Sequence, residues 1–283
     1  MKKYIINCIL ALILLFGLTK FFISERDNQR SQLDYDQAVQ IAGAQHMEQN
    51  SQTEPAEEDP IQNTTPQETT AQPPEDPVIL ELLEIDLDAL REENEDVIGW
   101  IYIPDTKVNY PLLQWTDNEF YLEHTWKQSN NASGAIFMEY QNKPDFSEFN
   151  TIIYGHNMRN GDLFGTLHYY RRPNYWESHP HIYIAMDQGI LRFDVFAAQS
   201  ASIKSIIYGL GIETEQRKEE FIRFAQDYSF FESNVIPTTE DHILTLSTCT
   251  GAGHANRWVV LGILNQEASY KRPAYEPSKT NNT

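Results

Sequence analysis

Between residues 86 and 268 the chain consists mainly of short apolar runs separated by polar turns. Short runs rich in β-branched and aromatic side chains, bounded by turn residues, predict β-strands. Eight such runs lie at residues 99–103, 108–114, 135–138, 150–154, 181–185, 190–199, 242–247 and 257–264. Many short strands with turns between them indicate a closed or nearly closed β-barrel rather than a parallel sheet.

Helical patterns are fewer in this part of the chain. Asp86 can cap a short helix that continues to Asn94, because an aspartate at this position accepts hydrogen bonds from the first turn. Two further segments with helical spacing, at residues 162–170 and 215–227, interrupt the predicted strands. The prediction is therefore a mainly β domain with an N-terminal helix and one or two helices in its connections.

The chain begins with an apolar run at residues 4–23, which follows Lys2 and Lys3. A run of about 20 apolar residues matches the hydrocarbon core of a bilayer, and the two lysines favour a cytoplasmic N-terminus. We therefore predict that residues 1–23 are a single-pass membrane anchor and that the following chain is extracellular. A cleaved signal peptide is the alternative, but the bulky residues at 21–23 do not form a cleavage site.

Charge and composition change after the anchor. Residues 24–85 carry 14 acidic side chains against 2 basic ones and are rich in Gln, Thr and Pro, which predicts an acidic, disordered tether. The polar residues 269–283 predict a flexible tail, which leaves residues 86–268 as one folded domain. The formal net charge of −20 for the whole chain argues against nucleic acid as a partner.

The two cysteines of the chain differ in their surroundings. Cys8 lies in the apolar N-terminal run, whereas Cys249 ends a predicted strand and precedes a glycine-containing loop. If the domain is outside the cell, the membrane separates the two thiols, and Cys249 has no disulfide partner in its own chain. A lone exported thiol at the end of a strand favours nucleophilic catalysis.

A nucleophilic thiol needs an imidazole for proton transfer and a donor for the oxyanion. Among the eight histidines, His156 ends a predicted strand and opens a polar loop, where a side chain can point into a cleft. Arg257 follows Cys249 by eight residues, at the start of the next predicted strand. On adjacent antiparallel strands these two residues can face one groove, where a guanidinium can stabilise an oxyanion. A structural histidine and a surface arginine are the alternatives.

These residues resemble a known family. Residues 244–249 with Arg257, and residues 154–158 around His156, are similar to the two hallmark blocks of class B sortases. Further similarity lies at residues 97–101, 110–111, 117–118, 121–122 and 134–138, so that the resemblance covers roughly residues 84–266.

The resemblance implies an eight-stranded sortase-type β-barrel and a membrane-anchored cysteine transpeptidase of Gram-positive bacteria. Cys249 would attack a Thr carbonyl in a C-terminal sorting signal and form a thioacyl intermediate. An amine from a peptidoglycan cross-bridge or a pilin lysine would then resolve this intermediate. His156 would be the acid and base, and Arg257 would stabilise the oxyanion and the substrate carbonyl.

By the same resemblance Asn118, Leu122 and Ser247 would shape the substrate groove. No metal or other cofactor is expected, because neither His156 nor Cys249 has further ligands at metal-binding spacing. Two features depart from some class B sortases: the segment between Cys249 and Arg257 is short, and Gly251 stands where relatives carry an acidic residue. No third member of a triad is therefore predicted.

Two alternatives to the transpeptidase stay open. The same residues could serve a hydrolytic cysteine protease, which would transfer the acyl group to water. Without catalysis, the chain would be a stalked surface-binding barrel in which Cys249 is an inert buried residue. The sequence also leaves open the sorting motif and the choice between cell-wall anchoring and pilus polymerisation.

Overall fold

The computed structural model describes residues 2–45, 47, 76–249 and 255–272. The middle of the predicted tether, Gly251 and most of the predicted tail lie outside the described residues. The helices are α1 (Lys2–Ile41), α2 (Pro77–Leu83), α3 (Leu87–Glu93), α4 (Tyr175–Ser178) and α5 (Glu215–Asp227). Short 3₁₀ turns lie at Phe120–Leu122, Leu167–Arg171 and Ile206–Tyr208.

Nine strands are described, and all eight predicted strands are among them. They are β1 (Val97–Tyr102), β2 (Asn109–Leu113), β3 (Phe137–Met138), β4 (Asn150–Tyr154), β5 (His181–Met186), β6 (Gly189–Ser202), β7 (Ile243–Cys249), β8 (Asn256–Leu264) and β9 (Tyr270–Lys271).

The first eight strands close into a barrel. Their order is β5-β1-β2-β3-β4-β7-β8-β6, and β6 pairs back onto β5. Most neighbours are antiparallel, but β2 pairs with β3 and β4 pairs with β7 in parallel, so the barrel is mixed. This confirms the predicted eight-stranded barrel with an N-terminal helix and helices in its connections.

Two apolar clusters lie on the two sides of the barrel wall. Leu244 and Leu246 of β7 point into the barrel interior, whereas Ile243 belongs to a second cluster outside the wall. Alternation of this kind is expected because successive side chains of a strand point to opposite faces. The outer cluster includes Phe221 and Ile222 of α5, which cover this side of the wall.

The prediction of a disordered tether needs correction at both of its ends. Helix α1 continues to Ile41 and packs on the barrel, because Tyr35, Ala38, Val39 and Ala42 form a buried stripe at helical spacing. At the other end α2 buries Ile79 and Leu82, and the backbone N–H of Asp86 donates to the carbonyl of Ala42.

The domain differs from the prediction in two smaller respects. The helix predicted for residues 162–170 is absent over most of its length, because Leu163 has a φ of +51°, which an α-helix cannot contain. Only Leu167–Arg171 forms a 3₁₀ turn. The predicted tail is ordered at its start, where β9 pairs with Gly189 and Ile190 of β6. The helix predicted to begin after the Asp86 cap and the helix at residues 215–227 are confirmed.

Among the helices that the structure describes, none combines the length and the apolar character that a bilayer crossing requires. The membrane anchor at residues 1–23 therefore stays a prediction.

Candidate active site

Three neighbouring strands bring the predicted catalytic residues to one end of the barrel. In the parallel pair of β4 and β7, Tyr154 lies opposite Ser247, and the N–H of Gly155 donates to the Ser247 carbonyl at 3.2 Å. His156 and Cys249 each follow this pair by two residues, so they leave the sheet side by side.

The antiparallel register of β7 and β8 brings in the third residue. Cys249 pairs directly with Arg257, Cα to Cα, and residues opposite each other in an antiparallel pair lie on the same face of the sheet. The short segment between them is therefore long enough, because it only has to connect the ends of two adjacent strands.

The strand alternation also decides on which side of the barrel wall these residues lie. On β7, position 249 shares a face with Ser247 and Ile243, and Ile243 lies in the outer cluster. On β8, Arg257 shares a face with Val259, which belongs to the same cluster. The backbone thus places both positions on the outer side of the wall rather than in the barrel interior.

A groove of about 440 Å³ opens on this outer side. Five of the six predicted site residues line it: Asn118, Leu122, His156, Ser247 and Arg257. Cys249, the sixth, ends β7 directly after the lining residues Ser247 and Thr248. Lining residues that the sequence did not predict are Phe137, Tyr154, Gly155, Ile203, Tyr208 and Thr248.

His156 is half-buried and held by a backbone carbonyl. Its Nε2 lies 2.9 Å from the carbonyl oxygen of Leu122. Because a carbonyl oxygen can only accept, Nε2 carries the hydrogen, and Nδ1 is left as the basic nitrogen of the neutral ring. Leu122 thus has a backbone role that the sequence did not predict, beside its half-exposed side chain in the groove.

Burial lowers the pKa of His156 below the ordinary value of 6.5. The positive charge of Arg257 lowers it further, whereas the hydrogen bond to Leu122 and the negative charge of Glu123 raise it. The imidazole is therefore mostly neutral at neutral pH. The effect of the guanidinium on this pKa also indicates that Arg257 and His156 share one electrostatic environment.

A buried carboxylate organises the opposite wall of the groove. Glu139 is 4% exposed, and its Oε2 accepts hydrogen bonds from Asn118 Nδ2 at 2.6 Å and from the Tyr154 hydroxyl at 2.9 Å. The backbone N–H of Tyr140 donates to Asn118 Oδ1 at 3.0 Å. Both ends of the Asn118 amide are therefore fixed, and burial together with Glu139 raises the pKa of the Tyr154 hydroxyl.

Sequence patterns gave no direct signal for these supporting residues. Tyr154 belongs to the same short block as His156, so proximity along the chain could have suggested it. Tyr208 lies in a weakly patterned segment, and its hydroxyl is 2.8 Å from Ser247 Oγ. No group of three or more His, Cys, Asp and Glu side chains within the described ranges has the arrangement of a metal site.

Comparison with known proteins gives a consistent family. The family model for the sortase domain matches residues 101–265. Sortase B of Listeria monocytogenes is 34% identical over 162 residues, which cover 56% of this chain and 65% of that protein. Sortase B of Staphylococcus aureus is 32% identical over 165 residues, which cover 58% of this chain and 68% of that protein. The chain thus spans slightly less than two thirds of the Listeria relative.

Solved structures agree with the sequence comparison. A crystal structure of Staphylococcus aureus sortase B superposes with a TM-score of 0.60 at 30% identity, over 63% of this chain and 85% of that one. Listeria monocytogenes sortase B superposes with a TM-score of 0.57 at 32% identity, over 63% of this chain and 100% of that one. The chain belongs to the sortase family, and its homologues are class B sortases.

Proposed function

We propose that this chain is a cysteine transpeptidase that cleaves a C-terminal sorting signal and transfers the protein to an amine. The main support is the strand register, which brings Cys249, His156 and Arg257 to one end of three adjacent strands, beside a groove. Membership of the sortase family supports the same reaction class.

In the first half-reaction the Cys249 thiolate attacks the carbonyl carbon of a Thr in the sorting signal. Arg257 donates hydrogen bonds to the oxyanion as the tetrahedral intermediate forms. The intermediate collapses by breaking the C–N bond, and the leaving amine takes a proton from the His156 imidazolium. The products are a thioester at Cys249 and a neutral imidazole.

In the second half-reaction an amine attacks the thioester carbonyl. Neutral His156 takes the amine proton, the C–S bond breaks, and a new amide bond forms as the thiolate leaves. Because burial lowers the pKa of His156, the pair of a thiolate and an imidazolium is a minor species at neutral pH. Arg257 supports this minor species through its positive charge beside the thiolate.

We place the substrate in the groove lined by Asn118, Leu122 and Ser247. One related structure is a Staphylococcus aureus sortase B-substrate complex, and another is a sortase B complexed with triglycine. By analogy, the proposed partners are proteins with a sorting signal and, as acceptors, amines of a peptidoglycan cross-bridge. A pilin lysine is the other candidate acceptor.

We further propose that residues 1–23 anchor the enzyme, so that the catalytic domain is extracellular. Support comes from α1, on which Leu12, Leu14 and Phe16 are each more than 60% exposed although they are large and apolar. Such exposure of neighbouring apolar side chains is unfavourable in water and is compatible with lipid.

The test uses purified full-length protein, a set of sorting-signal peptides and an added amine. Transpeptidation should yield the amide product, and Cys249→Ala should abolish it. His156→Ala and Arg257→Ala should each reduce it severely without loss of the folded state. Turnover by Cys249→Ala would refute the proposal. Release of only the hydrolysed peptide, at saturating amine, would favour the protease instead.

A further inference from the structure

Helix α1 packs against the wall behind His156. Its backbone accepts two side-chain hydrogen bonds from the segment that precedes β3: Asn131 Nδ2 donates to the Asp27 carbonyl at 2.8 Å, and Trp126 Nε1 donates to the Asp34 carbonyl at 2.6 Å. The Thr125 hydroxyl adds a third, to Asp34 Oδ2 at 3.0 Å. The helix therefore fixes the segment that contains Leu122, whose carbonyl holds His156.

Tyr35 is the central contact of this packing. The side chain is 7% exposed, and its hydroxyl donates to the Gly134 carbonyl at 2.8 Å. A Cβ at Gly134 would lie 2.9 Å from His156 Cδ2 and 2.8 Å from the Leu122 oxygen, so Gly134 is in close contact with the imidazole and with its acceptor. Only one residue thus separates Tyr35 from His156.

A second route runs through the loop that follows His156. The edge of the Tyr35 ring packs on Tyr110 with 4.9 Å between the centroids, and the Tyr110 hydroxyl accepts from the Leu163 N–H at 3.1 Å. The next residue, Phe164, donates its N–H to the His156 carbonyl at 3.1 Å. The same helix therefore contacts the segments on both sides of the imidazole.

We propose that Asp27, Asp34 and Tyr35 of α1 form a brace that positions His156, and that the active site is complete only when this part of the helix is docked. Tyr35 is a positioning residue in this proposal, because it reaches His156 through Gly134 and not directly. The proposal rests on the proposed function of His156 as the acid and base. It assigns a catalytic contribution to a segment that lies far from the groove residues in the sequence.

The brace has a signature that a merely stabilising contact would not have. The pKa of His156 is lowered first by burial, so loosening the wall behind the ring should raise it toward 6.5. Arg257 and Glu123 are the charged groups that act on His156, and a substitution at Tyr35 changes neither of them. A change in this pKa would therefore report the packing of the imidazole.

The experiment compares Tyr35→Phe and Tyr35→Ala in the full-length chain. Tyr35→Phe removes the hydrogen bond and keeps the ring, so it tests the brace even if Tyr35→Ala fails to fold. Leu33→Ala is the matched control, because Leu33 lies on the same helix and is 64% exposed. Transpeptidation kinetics give kcat and KM separately, NMR titration gives the pKa of His156, and thermal unfolding gives Tm.

For Tyr35→Phe we expect kcat to fall about tenfold, with KM changed less than about twofold, as the loss of one positioning hydrogen bond implies. The pKa of His156 should rise in the same variant, and both parameters should stay unchanged in Leu33→Ala. Normal kcat and an unchanged His156 pKa in folded Tyr35→Phe would overturn the brace. If His156→Ala were inactive in that case, the proposed function would still stand; full activity of His156→Ala would instead refute that function.

Discussion

Gly134 offers a sharp test of the site geometry, because this position combines backbone strain with a close approach. Its φ is +63°, and an added Cβ would lie 2.7 Å from the Tyr121 oxygen, 2.8 Å from the Leu122 oxygen and 2.9 Å from His156 Cδ2. Two of these atoms belong to the backbone and cannot rotate away. In Gly134→Ala the wall must therefore move, together with the carbonyl that holds His156.

The chain contains a matched control for the strain alone. Gly211 has nearly the same φ, +59°, but nothing lies within 4 Å of its would-be Cβ. Both alanine variants should lose about 1 kcal/mol of unfolding free energy from the left-handed backbone. Only Gly134→Ala should lose a further ~1–3 kcal/mol from overpacking.

Urea unfolding of both variants measures this difference, and transpeptidation kinetics at a temperature where both are folded measure its effect on the site. We expect kcat of Gly134→Ala to fall about 10- to 100-fold, since small displacements of a catalytic group have effects of this size. Gly211→Ala should keep its kcat. Equal stability and equal kcat in the two variants would show that the contact with His156 is not needed.

Three further predictions concern the groove and the domain. Arg257→Lys keeps the charge but loses the planar fork of donors, so kcat should fall at least about tenfold in the peptide assay; an unchanged kcat would speak against oxyanion stabilisation by the guanidinium. Glu139→Gln weakens the charge-assisted hydrogen bonds that fix Asn118 and Tyr154, so KM should rise about fivefold or more, and an unchanged KM would show that this wall does not contact substrate. Burial opposes ionisation of Asp194, but hydrogen bonds from three neighbouring side chains outweigh it and lower its pKa to about 2. Asp194→Asn should therefore lower the unfolding free energy by about 2 kcal/mol at pH 7. Because the unfolded carboxyl titrates near 3.8, this stabilisation is present above about pH 4 and is lost as the pH falls toward 2. A difference between mutant and wild type in urea unfolding that does not shrink over this range would contradict the assignment.

The barrel could be predicted from the sequence because its strands are local patterns. Each of the eight runs has a clear composition and clear turn residues, and Asp86 caps the predicted short helix through its side chain. The closure of the barrel was not a local pattern and came from the family resemblance. The positions of His156 and Arg257 followed from their places at strand ends, which the register then brings together.

The N-terminal packing was missed because composition was averaged over a long segment. Residues 24–85 are strongly acidic as a whole, and this average concealed the apolar stripe of Tyr35, Ala38 and Val39. Glu139 and Tyr208 were missed for a different reason. Their contacts with Tyr154 and Ser247 join segments that are 15 and 39 residues apart, and no periodicity within either segment indicates such a partner.

The half-buried position of His156 has two opposing consequences for the proposed reaction. Burial lowers the pKa of the imidazole, so few molecules hold the imidazolium that the leaving amine needs. The same lowering makes each imidazolium a stronger acid, which speeds proton transfer to that amine. Water exclusion also strengthens the interaction of Arg257 with a thiolate or an oxyanion. A wall that keeps His156 buried therefore trades the number of competent molecules for the rate of each, and this trade requires a rigid wall. The packing of α1 behind Gly134 supplies such rigidity, which makes the helix a part of the catalytic geometry.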